Sequence, residues 1–590
     1  MVEKKGQRTK GKRRVLRVVL IVAAAVLVTA LCGFFVLLVK VKGNLSYVYN
    51  YFVKTKGSLS VVRYDDAAAA KGTPKASAET EPERYLNSVK VIVNGEAVTE
   101  YERSKTIEIA SGLIGTETAN RGILTFRGNY LRSMSSYGTF TGKGESLSKD
   151  WQVRTGRFLK DDGVNYWSGN GWTGQPLIVE WTREQRSIMN LYPEAKAKDD
   201  LLEVIYPGMD GTIRFLDLDS GEATRDPIHV GMTFKGTCSL HPDMPLLICG
   251  SGDSATGPFG EQVSARIFLY SLIDGKKLYE FAANDPFAPR RWHGFDSSPV
   301  FAAEADTVIC PGENGVLYTV RLNAKYDAEA GTLSIDPDET VRYIYDSKAA
   351  NDRYEASESD IGSGSESSAV VWGHYLFFGD NGGIFQCLDL NTMEPVWVQD
   401  LKEDINASPV LEIGEDGSAA LYVGTTLKYH TSGHHTGEAC IYKINATDGS
   451  IIWKKPYEVH TVSGLAGGIL SSGASGSGAA APYIYFAISK TPSVNTGYLV
   501  ALRKDTGEEA WRKELPCDAW SSGCLTYGAD GSARLVQCCG NGDICLIDAL
   551  TGKTLGKINY GANIESTPAV FGNRIVVGLR SEYIIGARIE

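Results

Sequence analysis

The 590-residue chain is 43% hydrophobic and 22% charged, the balance of a globular protein, and its 64 glycines and 10% aromatic residues favour many turns and strands over a helical fold. Its net charge of −10 excludes nucleic acid as a partner of the whole protein on electrostatic grounds. One compact core does not normally extend over such a length, so the chain is either multidomain or built of repeats that each add a layer of core.

Residues 1–17 form a basic tail in which Lys4, Lys5, Arg8, Lys10, Lys12, Arg13, Arg14 and Arg17 face a single acid, Glu3. From Val18 to Val39 there is no charged residue; these 22 residues are enough for a helix to cross a bilayer. The basic flank on the N-terminal side places the tail in the cytoplasm and the remainder outside, anchored by this single helix to the cell membrane. A cleaved signal peptide would have a shorter apolar run and a small-residue cleavage site, whereas Lys40 follows this one directly. A lipoprotein would need a small residue before its modified cysteine, but Cys32 follows Leu31 within the run.

Residues 40–85 read as a juxtamembrane segment and flexible linker, with the small, polar stretch Ala67 to Pro82 offering nothing to bury. Residues 86–146 read as a small β-rich region. Within it, apolar residues alternate on both sides of Asn94-Gly95, a hairpin signal, and Thr106 to Ile109 can add a strand.

From Leu147 to Glu590 the chain repeats a unit of about 45 to 60 residues. Each unit has a Ser/Pro lead-in to a short apolar strand, a second strand ending in Gly, an Asn-Gly or Asp-Gly turn, a third strand, and a last strand carrying an aromatic residue. The clearest copy runs from Ser368 to Trp397. The intervals Asp389 to Trp397, Asn445 to Trp453, Arg503 to Trp511 and Ser271 to Tyr279 are all equal, and in the last three a glycine (Gly449, Gly507, Gly275) stands midway. A polar side chain on the turn backbone, a glycine at positive φ and an aromatic wedged between blades account for that spacing. Units start near Gly174, Gly236, Ser297, Glu366, Ser408, Ser463, Trp520 and Ser566. The eighth is short, and Leu147 to Gly156, with Trp151, supplies its missing outer strand and closes a ring.

This pattern resembles the PQQ-like repeat of quinoprotein dehydrogenases and of the BamB outer-membrane assembly family. The resemblance implies an all-β, eight-bladed quinoprotein-like β-propeller after an N-terminal transmembrane helix and a small β-hairpin region. It also raises a PQQ- and Ca²⁺-dependent dehydrogenase as an alternative. The adjacent cysteines of such enzymes lie in an early blade, whereas Cys538-Cys539 falls in a late one, and no Cys-x-x-Cys-His motif is present for covalent haem. The resemblance to BamB implies a binding scaffold rather than an enzyme, with a protein or cell-envelope polymer partner; unlike BamB proteins, this chain has no lipobox.

Asp296, Glu366, Asn406, Trp520 and Glu565 precede the Ser-rich lead-ins and converge on one channel mouth, with Trp292 and His293 beside them. Such a set suits a cation or a polar ligand, including a sugar in a lectin-like or sensing module, or else each residue caps its own turn. His430, His434, His435 and His460 lie in one Gly/Thr-rich stretch that reads as a polar loop rather than a metal site. No catalytic residue, cofactor-binding residue or metal ligand is assigned. Cys517 and Cys524 are close enough in sequence to pair, while Cys387, Cys440 and Cys545 read as buried small hydrophobes.

Overall fold

The structure, a computed structural model, describes residues 16–33, 54–64, 68–160, 162–170, 172–256, 262–290, 292, 294–353, 363–427, 435–462 and 465–590. Leu16–Gly33 is a helix long and apolar enough to cross a membrane. The positions from 34 to Val39, expected to continue it, lie outside the described residues.

Eight antiparallel sheets form the propeller. Blades 1 to 7 occupy 177–229, 239–281, 300–347, 370–400, 410–461, 474–515 and 524–559. Blade 8 joins three strands from 569–589 to Leu147–Arg154, which pairs antiparallel with Tyr583–Ile589 as the repeat count requires. The divergence of the first repeat has a cause: 181–201 intervenes between its first two strands and holds two short helices, Arg183–Ile188 and Pro193–Ala197. The sixth unit starts later than Ser463, which lies outside the described residues. Blade 5's outer strand extends to Thr461, and blade 6's inner strand is Ala474–Ser475.

The Ser/Thr lead-ins form a relay around the axis. From blade 3 to blade 7 the backbone N–H of one residue donates to the hydroxyl of its counterpart in the next blade: Ser298 to Ser368 at 2.9 Å, Ser368 to Ser408 at 2.8 Å, Ser408 to Ser472 at 3.0 Å and Ser472 to Ser522 at 2.9 Å. Ser522 donates to Thr567, and Gln175 to Thr237. A short hydroxyl is therefore needed where chain direction reverses and no ladder partner exists.

The outer-strand tryptophans lock neighbouring blades. Trp397 is fully buried and donates its indole N–H to Ala446 O at 3.0 Å across the 4/5 interface. Trp453, Trp511 and Trp151 do the same to Lys504, Ala549 and Leu218 of the following blades. Gly449 adopts φ +75°, and a Cβ there would lie 2.6 Å from the Trp397 ring. The turn glycine is thus required twice over, by conformation and by the indole above it.

Sequence N-terminal to the ring wraps it and then fills it. The stretch expected as a free spacer lies from residue 68 onward along the outer rim: Ala70 O accepts from Ala419 N–H, Lys75 N–H reaches Thr447 O, and Thr80 O accepts from Val398 N–H. Its side chains are indeed small and polar, but backbone pairing does not depend on them. Leu86–Val93 and Glu96–Val98 form the predicted hairpin, with Asn94 and Gly95 both at positive φ, and extend blade 3 to six strands. Thr106 to Ile109 adds only a single bridge, Ile109 to Gly373.

Residues 121–140 occupy the axis and touch every blade. Arg121–Ile123 pairs with Leu177–Glu180 of blade 1, and Leu124 O accepts from Leu240 N–H of blade 2. Tyr130 accepts from Phe301 N–H with its hydroxyl and from Val371 N–H with its carbonyl, joining blades 3 and 4; Leu131 O accepts from Leu411 N–H of blade 5. Arg127 donates to Gly473 O of blade 6 at 2.6 Å and Gly523 O at the edge of blade 7 at 2.7 Å. Ser136–Tyr137 and Thr139–Phe140 pair with blades 8 and 7. Arg132 is also fully buried and donates to Ala369 O, Ser298 O, Phe126 O and Thr125 Oγ1. Burial draws both guanidinium pKa values down to about 10, so they remain charged at neutral pH, solvated by carbonyl dipoles.

Arg132→Met is expected to destabilise the protein by about 3–5 kcal/mol in urea unfolding, because it strands several buried acceptors at once. Trp397→Ala should cost about 3–5 kcal/mol, and Trp397→Phe distinctly less, since it keeps most of the packing and loses the indole bond.

Candidate functional site

Two residues ahead of each relay position, a side chain turns toward one mouth of the channel. Asp296, Glu366 and Asn406 line its centre beside the relay serines, and Phe126 of the axial segment forms the floor. Trp520 and Glu565 line an adjoining lobe of about 650 Å³ with Trp172, Lys490 and Arg580. The positions singled out from sequence are therefore brought to one face. Trp292 stands there 49% exposed, while His293 lies outside the described residues.

Sequence reasoning missed Lys235, the equivalent residue of blade 2. Its ammonium lies 3.4 Å from Asp253 and faces three indoles, 4.9 Å from the Trp167 centroid, 5.6 Å from Trp172 and 5.5 Å from Trp292. Burial alone would lower its pKa, but Asp296, Asp253, Glu313 and Glu366 outweigh burial and the net shift is upward. Gly252 makes room for this side chain: a Cβ there would lie 2.6 Å from Lys235 Cγ. The available signal was Thr237 two residues on, the hydroxyl at this blade's relay position.

Glu313 was also missed, because its Glu-Asn-Gly reads as a turn. It is buried, accepts the Trp292 indole N–H at 2.5 Å, and leaves Oε1 without a hydrogen-bond partner. Burial, then the charges of Asp296 and Glu366, hold its carboxyl well above the ordinary range against the pull of Lys235 and Arg290. Blade 4 carries the matching turn. Its Asn381 accepts from Arg290 at 2.8 Å and donates to Glu366 at 3.1 Å and Asp404 at 2.8 Å. Asn406 donates to Asp404 at 2.5 Å, so this amide also serves the local network.

In the lobe, Trp172 meets Trp167 and Trp520 edge-on at centroid distances of 5.5 and 5.6 Å. Lys490 pairs with Asp518, which accepts the Trp520 indole N–H at 3.2 Å. Arg580 lies 3.5 Å from Glu565 and 5.5 Å from the Trp172 centroid. Burial raises the Glu565 pKa against the opposing effect of Arg580. The hairpin of Arg157–Leu159 and Tyr166–Ser168 carries Trp167 and exposes Leu159, Val164 and Tyr166. Indole walls and built-in ion pairs suit recognition of a polar or amphipathic surface.

The geometry does not fit PQQ and calcium on the axis. The void over Phe126 is about 30 Å³, against the ~300 Å³ or more usual for an organic cofactor. Calcium takes six to eight oxygens, and here Lys235 and Arg290 already face the acids. No group of three or more His, Cys, Asp or Glu residues able to hold a metal occurs among the described residues.

Other sequence candidates resolve structurally. His460 is buried, with Nδ1 at 3.1 Å from Thr436 Oγ1 and Nε2 at 3.1 Å from Pro492 O, while His430 and His434 lie outside the described residues. The disulfide joins Cys238 to Cys249; Cys517 and Cys524 are free thiols, and Cys517 lies against Cys539 instead. Cys538 and Cys539 are both buried but face opposite blade interfaces, as consecutive residues at a strand end do.

Fold and repeat together define an eight-bladed β-propeller. The family model described as outer membrane protein assembly factor BamB matches residues 495–585. Among solved structures, BamB from Moraxella catarrhalis is similar at 12% identity over 75% of this chain and 98% of its own, with a TM-score of 0.43. The quinohemoprotein alcohol dehydrogenase from Comamonas testosteroni is similar at 12% identity over 82% of each chain, with a TM-score of 0.39. No curated protein matches by sequence.

The site yields one pH dependence. Asp380 is fully buried and accepts from Tyr345 O–H at 2.6 Å and Ile384 N–H at 2.8 Å. Burial, with Asp404 nearby, pushes its carboxyl from 3.8 up to about 7. The native state then holds a proton that the unfolded chain releases, so this group's contribution to stability is present below pH 3.8 and is lost as pH rises toward 7. The stability of Asp380→Asn relative to the parent should therefore rise across that interval, which urea titrations at its two ends will measure.

Proposed function

We propose that this protein is a membrane-anchored binding scaffold whose propeller lies outside the cytoplasm and presents the mouth face to a protein or cell-envelope polymer. The observation that carries the reading is the joining, at one mouth, of an indole cluster and exposed apolar side chains to an axis filled by the chain's own residues 121–140. A filled axis favours recognition across a face over chemistry in a channel. The basic residues ahead of Leu16–Gly33 support an N-terminus in the cytoplasm, and the net charge argues against a nucleic acid partner.

The dehydrogenase alternative has less support, because the axial mouth is too small for a quinone and its acids face internal cations. A sensing or lectin-like module remains a narrower version of the same reading, with Trp172 and Trp520 as the ring-stacking platform.

Full-length protein in detergent should sediment with isolated cell-envelope polymer or cross-link to an envelope protein through the mouth. Trp520→Ala combined with Trp172→Ala should weaken this at least about tenfold, the loss expected from two interface tryptophans. Calorimetric titration with PQQ and Ca²⁺ should give no heat. Calcium-dependent PQQ binding, or partner binding indifferent to both tryptophans, would remove the scaffold reading in this form.

A further inference from the structure

Beside the mouth lobe lies a row of three thiols packed between blades 6 and 7. Cys517 follows blade 6's outer strand, Glu509–Leu515, is partly exposed, and lines the lobe next to Asp518 and Trp520. Cys539 lies buried behind it, after blade 7's second strand Ala533–Cys538, and Cys545 lies on the third strand, Asp543–Asp548. Cys539 and Cys545 belong to one packed cluster between blades 6 and 7, against which Cys517 lies. The Asn541 N–H points at Cys517 Sγ at 3.3 Å, and Gly540 N–H is tied to Asp518 O at 3.2 Å, so the link carrying Cys517 and the turn carrying Cys539 are held side by side.

The geometry points to a thiol–disulfide exchange site at which Cys517 reacts with an external disulfide and Cys539 resolves the product to a Cys517–Cys539 bridge. The chemistry needs one accessible nucleophilic sulfur and one sheltered sulfur packed beside it, and the pair supplies both. Hydrogen bonding from Cys539, helped by the backbone N–H groups of Asn541 and Gly540, draws the Cys517 pKa below that of an ordinary thiol despite burial. Cys387 and Cys524 are buried, and burial raises their pKa, whereas hydrogen bonding with Cys539 also lowers that of the buried Cys545.

The step balances. The Cys517 thiolate attacks one sulfur of the disulfide, whose S–S bond breaks and releases one thiolate that takes up a proton. Cys539 then loses its proton and attacks Cys517 Sγ, expelling the second thiol. Two cysteine thiols are oxidised to one bridge, and one external disulfide is reduced to two thiols. The bridge would fasten the link bearing Asp518 and Trp520 to blade 7, placing a redox-dependent tether on one wall of the lobe.

Full-length protein in detergent is incubated with oxidised glutathione, quenched in acid, alkylated after unfolding, and digested for mass spectrometry. A peptide pair joined through Cys517 and Cys539 is expected, with alkylation of both falling at least about tenfold while Cys387 and Cys524 stay labelled. Cys517→Ser should abolish the bridge and leave Cys539 alkylated, and Cys545→Ser should retain it. A Cys539–Cys545 bridge, a stable glutathione adduct at Cys517 with Cys539 still free, or an unreacted Cys517 would each overturn the assignment. The wild-type readout alone decides among these, whether or not a variant folds.

Discussion

The fold depends on residues 121–140, which lie inside a ring they do not belong to in sequence order. The inner strands of most blades are only two to five residues long, among them Ser239–Leu240, Val300–Ala302 and Ala569–Phe571, and each has one edge facing the axis. Those edges carry backbone groups that must be paired out of water. The axial segment pairs them by adding strands to blades 1, 7 and 8 and single bonds to the rest. Arg127 and Arg132 extend this beyond the backbone, since one planar guanidinium reaches carbonyls of several blades at once.

Two further devices act at larger radius. The hydroxyl relay ties successive lead-ins near the axis, and the indoles bind successive outer turns at the rim. Blades 4, 5 and 6 are thus each fixed at both ends to the next, and Leu147–Arg154 completes the circle. Val62–Arg63 and the hairpin that begins at Leu86 cover strand edges of blades 5 and 3 that would otherwise be open to other chains.

The same arrangement defines the mouth. Filling the axis removes a deep cavity and leaves a broad face whose acids meet Lys235, Arg290, Lys490 and Arg580. Charges paired in this way, under indole walls, are held in place by the protein itself. Cys517 stands at the edge of this face, where the chemistry of a thiol and the position of Trp520 are coupled through one short link.

The amino-acid sequence by itself determined the repeat, the ring closure at Trp151, the indole-over-glycine turns and the apolar N-terminal helix, because each follows from local spacing and composition. It also located five mouth residues, since the position before a Ser-rich lead-in recurs in register. It did not disclose Lys235, whose blade lacks that motif, nor Glu313, whose turn looks ordinary. The path of residues 68–140 was decided only by the tertiary structure: its partners are backbone groups on distant blades, and backbone hydrogen bonds leave almost no signature in side-chain type. The row of Cys517, Cys539 and Cys545 is of the same kind, being made by the docking of a link against a turn rather than by any spacing along the chain.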